Sequence, residues 1–175
     1  MWGMASTEPS IRIGHGYDLH RLEPLAPDGD GRPMVLGGVS VEHDAGPVGH
    51  SDGDVVLHAV TDAILGAMGE PDIGQLFPDD DAANAGRDSM DFLAEAVRRM
   101  RKRNLEPGNL DITVVCQRPK ISPLKRAMEE RIAAALGCEP QRVNVKGKTH
   151  EEVDAVGEGR AIETHAVVLL IGAEA

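Results

Sequence analysis

Apolar and polar residues alternate over residues 11–20, and this period of two predicts a β-strand at the start of the fold. Strand character resumes over residues 34–43, where Gly37-Gly38 predicts a bend or bulge. Further strands are predicted at residues 109–116, 143–148 and 162–171. The last of these is apolar almost throughout, which is typical of a central strand.

Three other segments have the 3.6-residue period of helices. The first begins near Asp54, because Ser51 and Asp54 have the spacing of a capping box. The second covers about residues 88–103, and Pro123 and Gly137 bracket the third. The resulting order, β, β, α, α, β, α, β, β, predicts an α+β fold in which helices pack on one face of a mixed β-sheet.

The length of 175 residues fits one domain, predicted to cover residues 11–175. Residues 1–10 contain neither the cationic nor the apolar segment of a signal peptide and are predicted to be a disordered leader. No stretch is long enough to span a bilayer. The two cysteines, Cys116 and Cys138, are too few for a disulfide scaffold, so a reduced, cytoplasmic protein is expected.

The charge balance limits the class of partner. With 18 basic and 29 acidic residues, the net charge is −11, which argues against nonspecific binding to nucleic acid or to an anionic membrane. An anionic substrate would therefore have to be held by local cations, and metal ions suit that purpose.

Three side chains form a candidate metal site. Asp18 and His20 are two residues apart in the first predicted strand, so they point to the same face. His58, from the first predicted helix, would complete the set. One carboxylate and two imidazoles leave a coordination position open, and this is typical of a catalytic site for a divalent metal.

Four motifs give the chain a resemblance to a known family. They are Gly-His-Gly-Tyr-Asp-Leu-His from Gly14, Gly-His-Ser-Asp-Gly-Asp-Val-Val-Leu-His-Ala from Gly49, Asp-Ile-Gly-Gln-Leu-Phe-Pro-Asp from Asp72 and Arg-Pro-Lys from Arg118. In order and spacing they resemble the 2-C-methyl-D-erythritol 2,4-cyclodiphosphate synthases of non-mevalonate isoprenoid synthesis. The resemblance covers residues 11 to about 171, nearly the whole chain.

The resemblance implies a homotrimer with active sites between subunits. It implies that the 2-phosphate of a cytidine-diphosphate methylerythritol attacks the β-phosphorus and expels CMP. It implies Zn²⁺ on Asp18, His20 and His58, and Mg²⁺ or Mn²⁺ that bridges the substrate phosphates and contacts Glu151. The residues that match the family's transition-state stabilisers are His50 and Thr149.

Further substrate contacts follow from the same resemblance. The methylerythritol part would be held by Asp72, Ile73, Gly74, Phe77, Pro78, Asp79 and Asp81. The cytidine would be held by Cys116, Lys120, Ile121 and Ser122, mostly through backbone groups. Contacts to the remaining substrate groups are expected from Asp18, His20, His50, Ser51, Lys148, Thr149, His150 and Glu151. Asp62, four residues after His58, is expected to orient the His58 ring.

The C-terminal region departs from the family's pattern. Lys148-Thr149-His150-Glu151 stands where the family has Thr-Thr-Thr-Glu, and Ala155 replaces a large apolar residue. Glu158 and Arg160 stand in the order opposite to the family's arginine and glutamate. These changes affect the lining of the cavity along the trimer axis and any isoprenoid effector bound there.

Two other functions are compatible with the same residues. One is another metal-dependent phosphoesterase on the same scaffold, which release of CMP without inorganic phosphate would exclude. The other is a non-catalytic metal-binding protein, although the dense substrate-loop pattern of residues 72–81 argues against it.

Overall fold

A computed structural model describes residues 11–78 and 86–173. Its strands are β1 (Ile11–Pro24), β2 (Met34–Leu36), β3 (Val39–Val41), β4 (Ala45–Pro47), β5 (Leu105–Val115), β6 (Val143–Lys148) and β7 (Ala161–Gly172). Its helices are α1 (Val55–Ala67), α2 (Ile73–Leu76), α3 (Ser89–Lys102), α4 (Lys125–Leu136) and α5 (Asp154–Gly157). The predicted leader, residues 1–10, lies outside the described residues.

Five strands form one mixed sheet in the order β4-β1-β7-β5-β6. Only β5 and β6 are parallel, and the other neighbours run antiparallel. The apolar strand β7 lies in the centre, as its composition predicts. Helix α1 packs across β1 and β7, while α3 and α4 extend the helical layer over β5 and β6. The predicted α+β architecture, with helices on one face of a mixed sheet, is confirmed.

Residues 34–43 do not form a single strand. Gly37 and Gly38 both have positive φ, 58° and 75°, and the chain reverses there so that β2 pairs with β3. Two consecutive left-handed residues favour a tight hairpin over the predicted bend. The hairpin forms a separate two-stranded sheet, and the short edge strand β4 was not predicted.

Helix α1 begins as predicted, but a different residue caps it. The N-cap is Asp54, whose Oδ1 accepts hydrogen bonds from the backbone N–H groups of Val56 and Leu57. The same carboxylate accepts from Gly37 and Gly38, so it ties the hairpin turn to the start of α1. The capping-box assignment of Ser51 is therefore wrong, and its hydroxyl instead accepts a hydrogen bond of 3.1 Å from Gly53 N.

No helix among residues 11–78 and 86–173 covers the other face of the sheet. Odd-numbered residues of β1 and β7 point to it, and several are large, apolar and substantially exposed. They are Ile11 (60%), Ile13 (70%), Tyr17 (45%), Leu19 (46%) and Val167 (44%). No helix in the described part of the chain is both long and apolar enough to cross a membrane.

Close packing of α1 on β1 depends on two glycines. A Cβ atom built on Gly16 would lie 1.9 Å from the carbonyl oxygen of Ala59, and one on Gly14 would lie 1.9 Å from that of Ala63. Only glycine lets the helix backbone come this near. The approach brings His58, next to Ala59, over the polar end of β1.

Gly16→Ala is expected to destabilise the protein by about 3 kcal/mol, because the new methyl group meets backbone that cannot move independently. Urea unfolding followed by circular dichroism would measure the loss. Gly66→Ala is the matched control, since its Cβ would meet nothing nearer than 3.7 Å and alanine favours a helix. Equal unfolding midpoints for the two variants would contradict the proposed role of Gly16.

Candidate metal centre and active site

The three predicted metal ligands converge at one point. Asp18 and His20 project from the same side of β1, and α1 carries His58 onto them. The Asp18 Oδ2 atom lies 2.9 Å from His58 Nδ1 and 3.0 Å from His20 Nδ1. One potential ligand atom from each residue lies within 4.8 Å of the other two.

The cluster fits a divalent ion such as zinc. The Nδ1 atom of His20 is buried and has no hydrogen-bond partner among the described residues, although it lies near Asp18. A buried polar atom without a partner is costly, and a metal ion at this point would provide one. One carboxylate with two imidazoles is also a donor set that zinc commonly takes.

The ionisation of Asp18 favours cation binding. Burial tends to raise the pKa of Asp18, but the adjacent imidazoles of His20 and His58 outweigh it and hold that pKa well below its usual range. The carboxyl is therefore an anion at neutral pH. Burial also tends to lower the pKa of His58, yet the hydrogen bond to Asp18 raises it above the ordinary value, so a metal ion would compete with a proton for this ring.

Asp62 does not have its predicted role. Its Oδ1 atom accepts a hydrogen bond of 2.8 Å from the backbone N–H of Ile73, at the start of α2. The His58 ring instead bonds Asp18 through Nδ1 and the hydroxyls of Ser51 and Ser89 through Nε2. The i to i+4 spacing placed Asp62 near His58 but could not exclude the backbone of α2 as a competing donor.

A cavity of about 310 Å³ opens beside the metal cluster. The predicted site residues that line it are Asp18, His20, His50, Ser51, His58, Ile73, Gly74 and Phe77. We call this the metal cavity. His50 is exposed at the edge of this cavity, and residues of α2 line one side of it. The candidate metal ligands, a candidate phosphate contact and part of the loop predicted to hold the methylerythritol therefore line the same cavity.

Sequence reasoning missed three residues beside this cavity. Phe92, 4% exposed, packs on Phe77 with ring centroids 4.6 Å apart and lies 5.8 Å from the His58 ring. Arg87 lies over the Phe77 ring, 5.1 Å from its centroid. Ser89 bonds His58 directly. All three precede or occupy α3, about thirty residues from His58, and no local motif marks them.

A second group of predicted residues lines a separate cavity of about 480 Å³. They are Cys116, Lys120, Ile121, Ser122, Lys148, Thr149 and Glu151. We call this the nucleotide cavity. Arg118 adds a third cation beside Lys120 and Lys148, and these charges oppose the negative field of the whole chain. Burial raises the pKa of the Cys116 thiol to about 11. The thiol is therefore neutral, and it lines the cavity without acting as a nucleophile.

Thr149 and Glu151 lie together on a strained turn after β6. The Thr149 hydroxyl donates to Glu151 Oε1 at 2.8 Å. The backbone φ is positive at Glu151 (50°), Glu152 (64°) and Asp154 (62°), a conformation that non-glycine residues seldom adopt. Such strain persists where the surrounding structure or function requires it, so this turn is a candidate functional feature.

The remaining predicted contacts occupy other positions. Asp72 is the N-cap of α2 and accepts from Gln75 N at 2.8 Å, and Pro78 ends the described part of that loop. The His150 ring lies between two carboxylates, with Nδ1 3.0 Å from Asp154 and Nε2 3.4 Å from Glu163. The predicted contacts of Asp79 and Asp81 lie outside the described residues.

The residues that depart from the family pattern contact each other. Arg160 Nε donates to Glu158 Oε2 at 2.8 Å, and both side chains are exposed. Ala155 packs against a small cluster formed by Val115, Val156 and Ala161. The opposite charges are thus paired within one chain.

Comparison with known proteins supports the resemblance. The sequence model of the YgbB family matches residues 11–171. The chain is 54% identical over 162 residues to the chloroplastic 2-C-methyl-D-erythritol 2,4-cyclodiphosphate synthase of Catharanthus roseus, covering 93% of this chain and 66% of that protein. It is 48% identical over 161 residues to the synthase of Trichlorobacter lovleyi, covering 92% and 99%.

Solved structures share the fold. A Plasmodium falciparum IspF described as a CDP complex superposes with a TM-score of 0.83 and 39% identity, covering 96% of this chain and all of that one (100%). The bifunctional IspDF of Campylobacter jejuni gives a TM-score of 0.85 and 38% identity, covering 93% of this chain and 42% of its own. The chain therefore belongs to the YgbB family, together with plant and bacterial proteins named 2-C-methyl-D-erythritol 2,4-cyclodiphosphate synthase.

Proposed function

We propose that the protein converts 4-diphosphocytidyl-2-C-methyl-D-erythritol 2-phosphate to 2-C-methyl-D-erythritol 2,4-cyclodiphosphate and CMP. An oxygen of the 2-phosphate forms a bond to the β-phosphorus. The bond from that phosphorus to the oxygen of the α-phosphate breaks, and CMP leaves with the electron pair. Water is not consumed, so the enzyme is a cyclising phosphorus–oxygen lyase.

The convergence of Asp18, His20 and His58 beside the metal cavity carries this proposal. Both reacting groups are anions that repel each other, so catalysis needs positive charge and fixed geometry more than covalent chemistry. Asp18, His20 and His58 would hold a divalent ion such as Zn²⁺, which when bound would supply a Lewis acid for a phosphate oxygen. His50, at the edge of the same cavity, is placed to donate to a phosphate as charge moves during the transfer.

The nucleotide cavity supplies complementary contacts. Lys120 and Lys148 line it and would offset the charge of a diphosphate, and residues 116–122 line the part where the cytidine is proposed to lie. The Thr149 hydroxyl, which donates to Glu151 in the free protein, would release that carboxylate and donate to a phosphate oxygen when substrate and its metal ion bind. Glu151, which shares that turn, is the proposed protein contact of Mg²⁺ or Mn²⁺ on the substrate phosphates.

We also propose a homotrimer whose active sites each combine two chains. Among the residues that the structure describes, the metal and nucleotide cavities share no lining residue. Across the sheet, Asp18 of β1 pairs with Thr164 of β7, Thr164 with Val114 of β5, and Val114 with Gly147 of β6, which lines the nucleotide cavity. The two cavities are therefore three strand spacings apart, about 14 Å. Thr164 and Val114 are fully buried between them. Association through the apolar open face of the sheet would cover that face and let cavities of neighbouring chains meet.

Turnover of the diphosphocytidyl substrate tests the function directly. With Zn²⁺ and Mg²⁺ present, ³¹P spectra are expected to show the cyclic diphosphate and CMP in equal amounts, with no inorganic phosphate. Release of inorganic phosphate would favour the alternative phosphoesterase. Zinc binding without turnover of this substrate would favour a non-catalytic metal-binding protein. A cytoplasmic location stays a prediction, since the Catharanthus relative is named as chloroplastic.

A further inference from the structure

A buried hydrogen-bonded chain lies behind His58, on the side away from Asp18. Ser89, the first residue of α3, is fully buried, and its Oγ atom lies 2.8 Å from His58 Nε2. The same hydroxyl contacts Asp52 Oδ1, and the Ser89 backbone N–H donates to Asp52 Oδ2 at 3.0 Å. The chain therefore runs Asp52, Ser89, His58, Asp18.

The donors in this chain can be assigned from chemistry. A carboxylate only accepts hydrogen bonds, so the single hydroxyl hydrogen of Ser89 points to Asp52. The Ser89 oxygen then accepts from His58, which places a hydrogen on His58 Nε2. That hydrogen is required whether the Nδ1 atom of His58 is protonated and donates to Asp18 or is deprotonated and presents a lone pair there.

We propose that Ser89 and Asp52 are positioning residues for the metal site. They fix the His58 ring so that Nδ1, and not Nε2, faces Asp18, where its lone pair would be available to a metal ion. This inference rests on the zinc site of the proposed function. Groups that hold the second nitrogen of a metal-binding histidine fix its tautomer and orientation, and their loss weakens metal binding.

Contacts of Asp52 make the arrangement rigid. Its Oδ1 accepts from Asp54 N at 3.1 Å, and its own backbone N–H donates to the carbonyl oxygen of Arg87 at 3.1 Å. Asp52 thus joins the loop before α1 to the start of α3. Ser51 Oγ, 3.2 Å from His58 Nε2, is a longer and secondary contact because it also accepts from Gly53 N.

Ser89→Ala tests the proposal in the full-length, zinc-loaded protein. The variant keeps the backbone bond to Asp52 but leaves His58 Nε2 only the longer contact to Ser51. Competition with a chromophoric chelator is expected to show zinc bound about tenfold to a hundredfold more weakly than in the wild type. Asp52→Asn is expected to lose at least as much, since an amide cannot accept at both of its ends.

Thr61→Val is the matched control. Thr61 is fully buried on α1 and donates to the carbonyl oxygen of Leu57. Its variant therefore removes a buried hydroxyl near His58 but leaves the hydrogen bonds that link Asp52, Ser89, His58 and Asp18 intact. Its zinc affinity is expected to stay within twofold of the wild type. Circular dichroism melts of all variants would separate loss of fold from loss of metal.

Spectra of ¹⁵N-histidine-labelled, zinc-loaded wild type add a readout that a purely structural role would not move. His58, assigned by comparison with its alanine variant, is expected to carry hydrogen on Nε2. A hydrogen on Nδ1, or equal zinc affinity in Ser89→Ala and Thr61→Val, would overturn the inference even if the wild type is an active zinc enzyme. A wild type that binds no zinc would overturn the proposed function and this inference together.

Discussion

Replacing His58 by alanine is expected to abolish both bound zinc and turnover while leaving the protein folded. The imidazole is one of three ligands, and the two that remain, Asp18 and His20, make a site too weak to stay loaded at low zinc concentration. Losing the Lewis acid removes several kcal/mol of stabilisation for the transferring phosphoryl group. At about 1.4 kcal/mol for each tenfold change, the rate should fall by about a thousandfold or more.

Zinc content by plasma mass spectrometry and CMP release would measure the two losses in the same sample. His43→Ala is the control, because His43 bonds the backbone of Ala45 and lies outside the metal cavity. It should retain both zinc and activity. Near-normal turnover and metal content in His58→Ala would remove His58 from the site.

Two of the three candidate metal ligands were predictable from short-range geometry, and the third from one packing contact. The period of two along β1 places Asp18 and His20 on one side of the strand, whatever the rest of the fold does. The position of His58 needed only a helix that begins near Asp54 and packs on β1. Gly14 and Gly16, which permit that packing, stand within the same motif as the ligands.

The contacts that support the His58 ring were not predictable, because they depend on packing between elements far apart in the sequence. Ser89 and Phe92 reach His58 from α3, and the sequence does not specify how the start of α3 meets α1. Asp62 shows the same limit, since its spacing allowed two partners and the backbone of α2 is the one it contacts. In each case packing between separate elements selects one of several locally equivalent partners.

The sequence pattern did not predict that one face of the sheet is exposed in a single chain. β7 is apolar enough to be buried on both sides, yet within one chain Val167 is 44% exposed. A strand with this composition and an uncovered side favours a further layer supplied by another copy of the chain. The composition of β7 is thus an observation in the sequence that agrees with the proposed trimer.

Mixing two inactive variants should restore activity if each site combines two chains. His50→Ala disables the metal cavity and Lys120→Ala disables the nucleotide cavity, so each variant alone should be nearly inactive. After joint unfolding and refolding at equal concentrations, a random trimer pairs an intact metal cavity with an intact nucleotide cavity at about one interface in four. Recovery of up to about a quarter of wild-type activity is therefore expected.

A second mixture provides the control for this result. His50→Ala and His58→Ala both disable the metal cavity, so no pairing of these chains makes a complete site, and their mixture should stay inactive. Native mass spectrometry of chains that differ in isotope label would confirm that mixed trimers form. If they form and the first mixture is as inactive as the second, both cavities of a working site must belong to one chain. One substrate would then have to reach both cavities of a single chain, which would require Thr164 and Val114 to move from between them. Both residues are fully buried in the core, so such a movement is unfavourable. This is the physical reason to expect recovery.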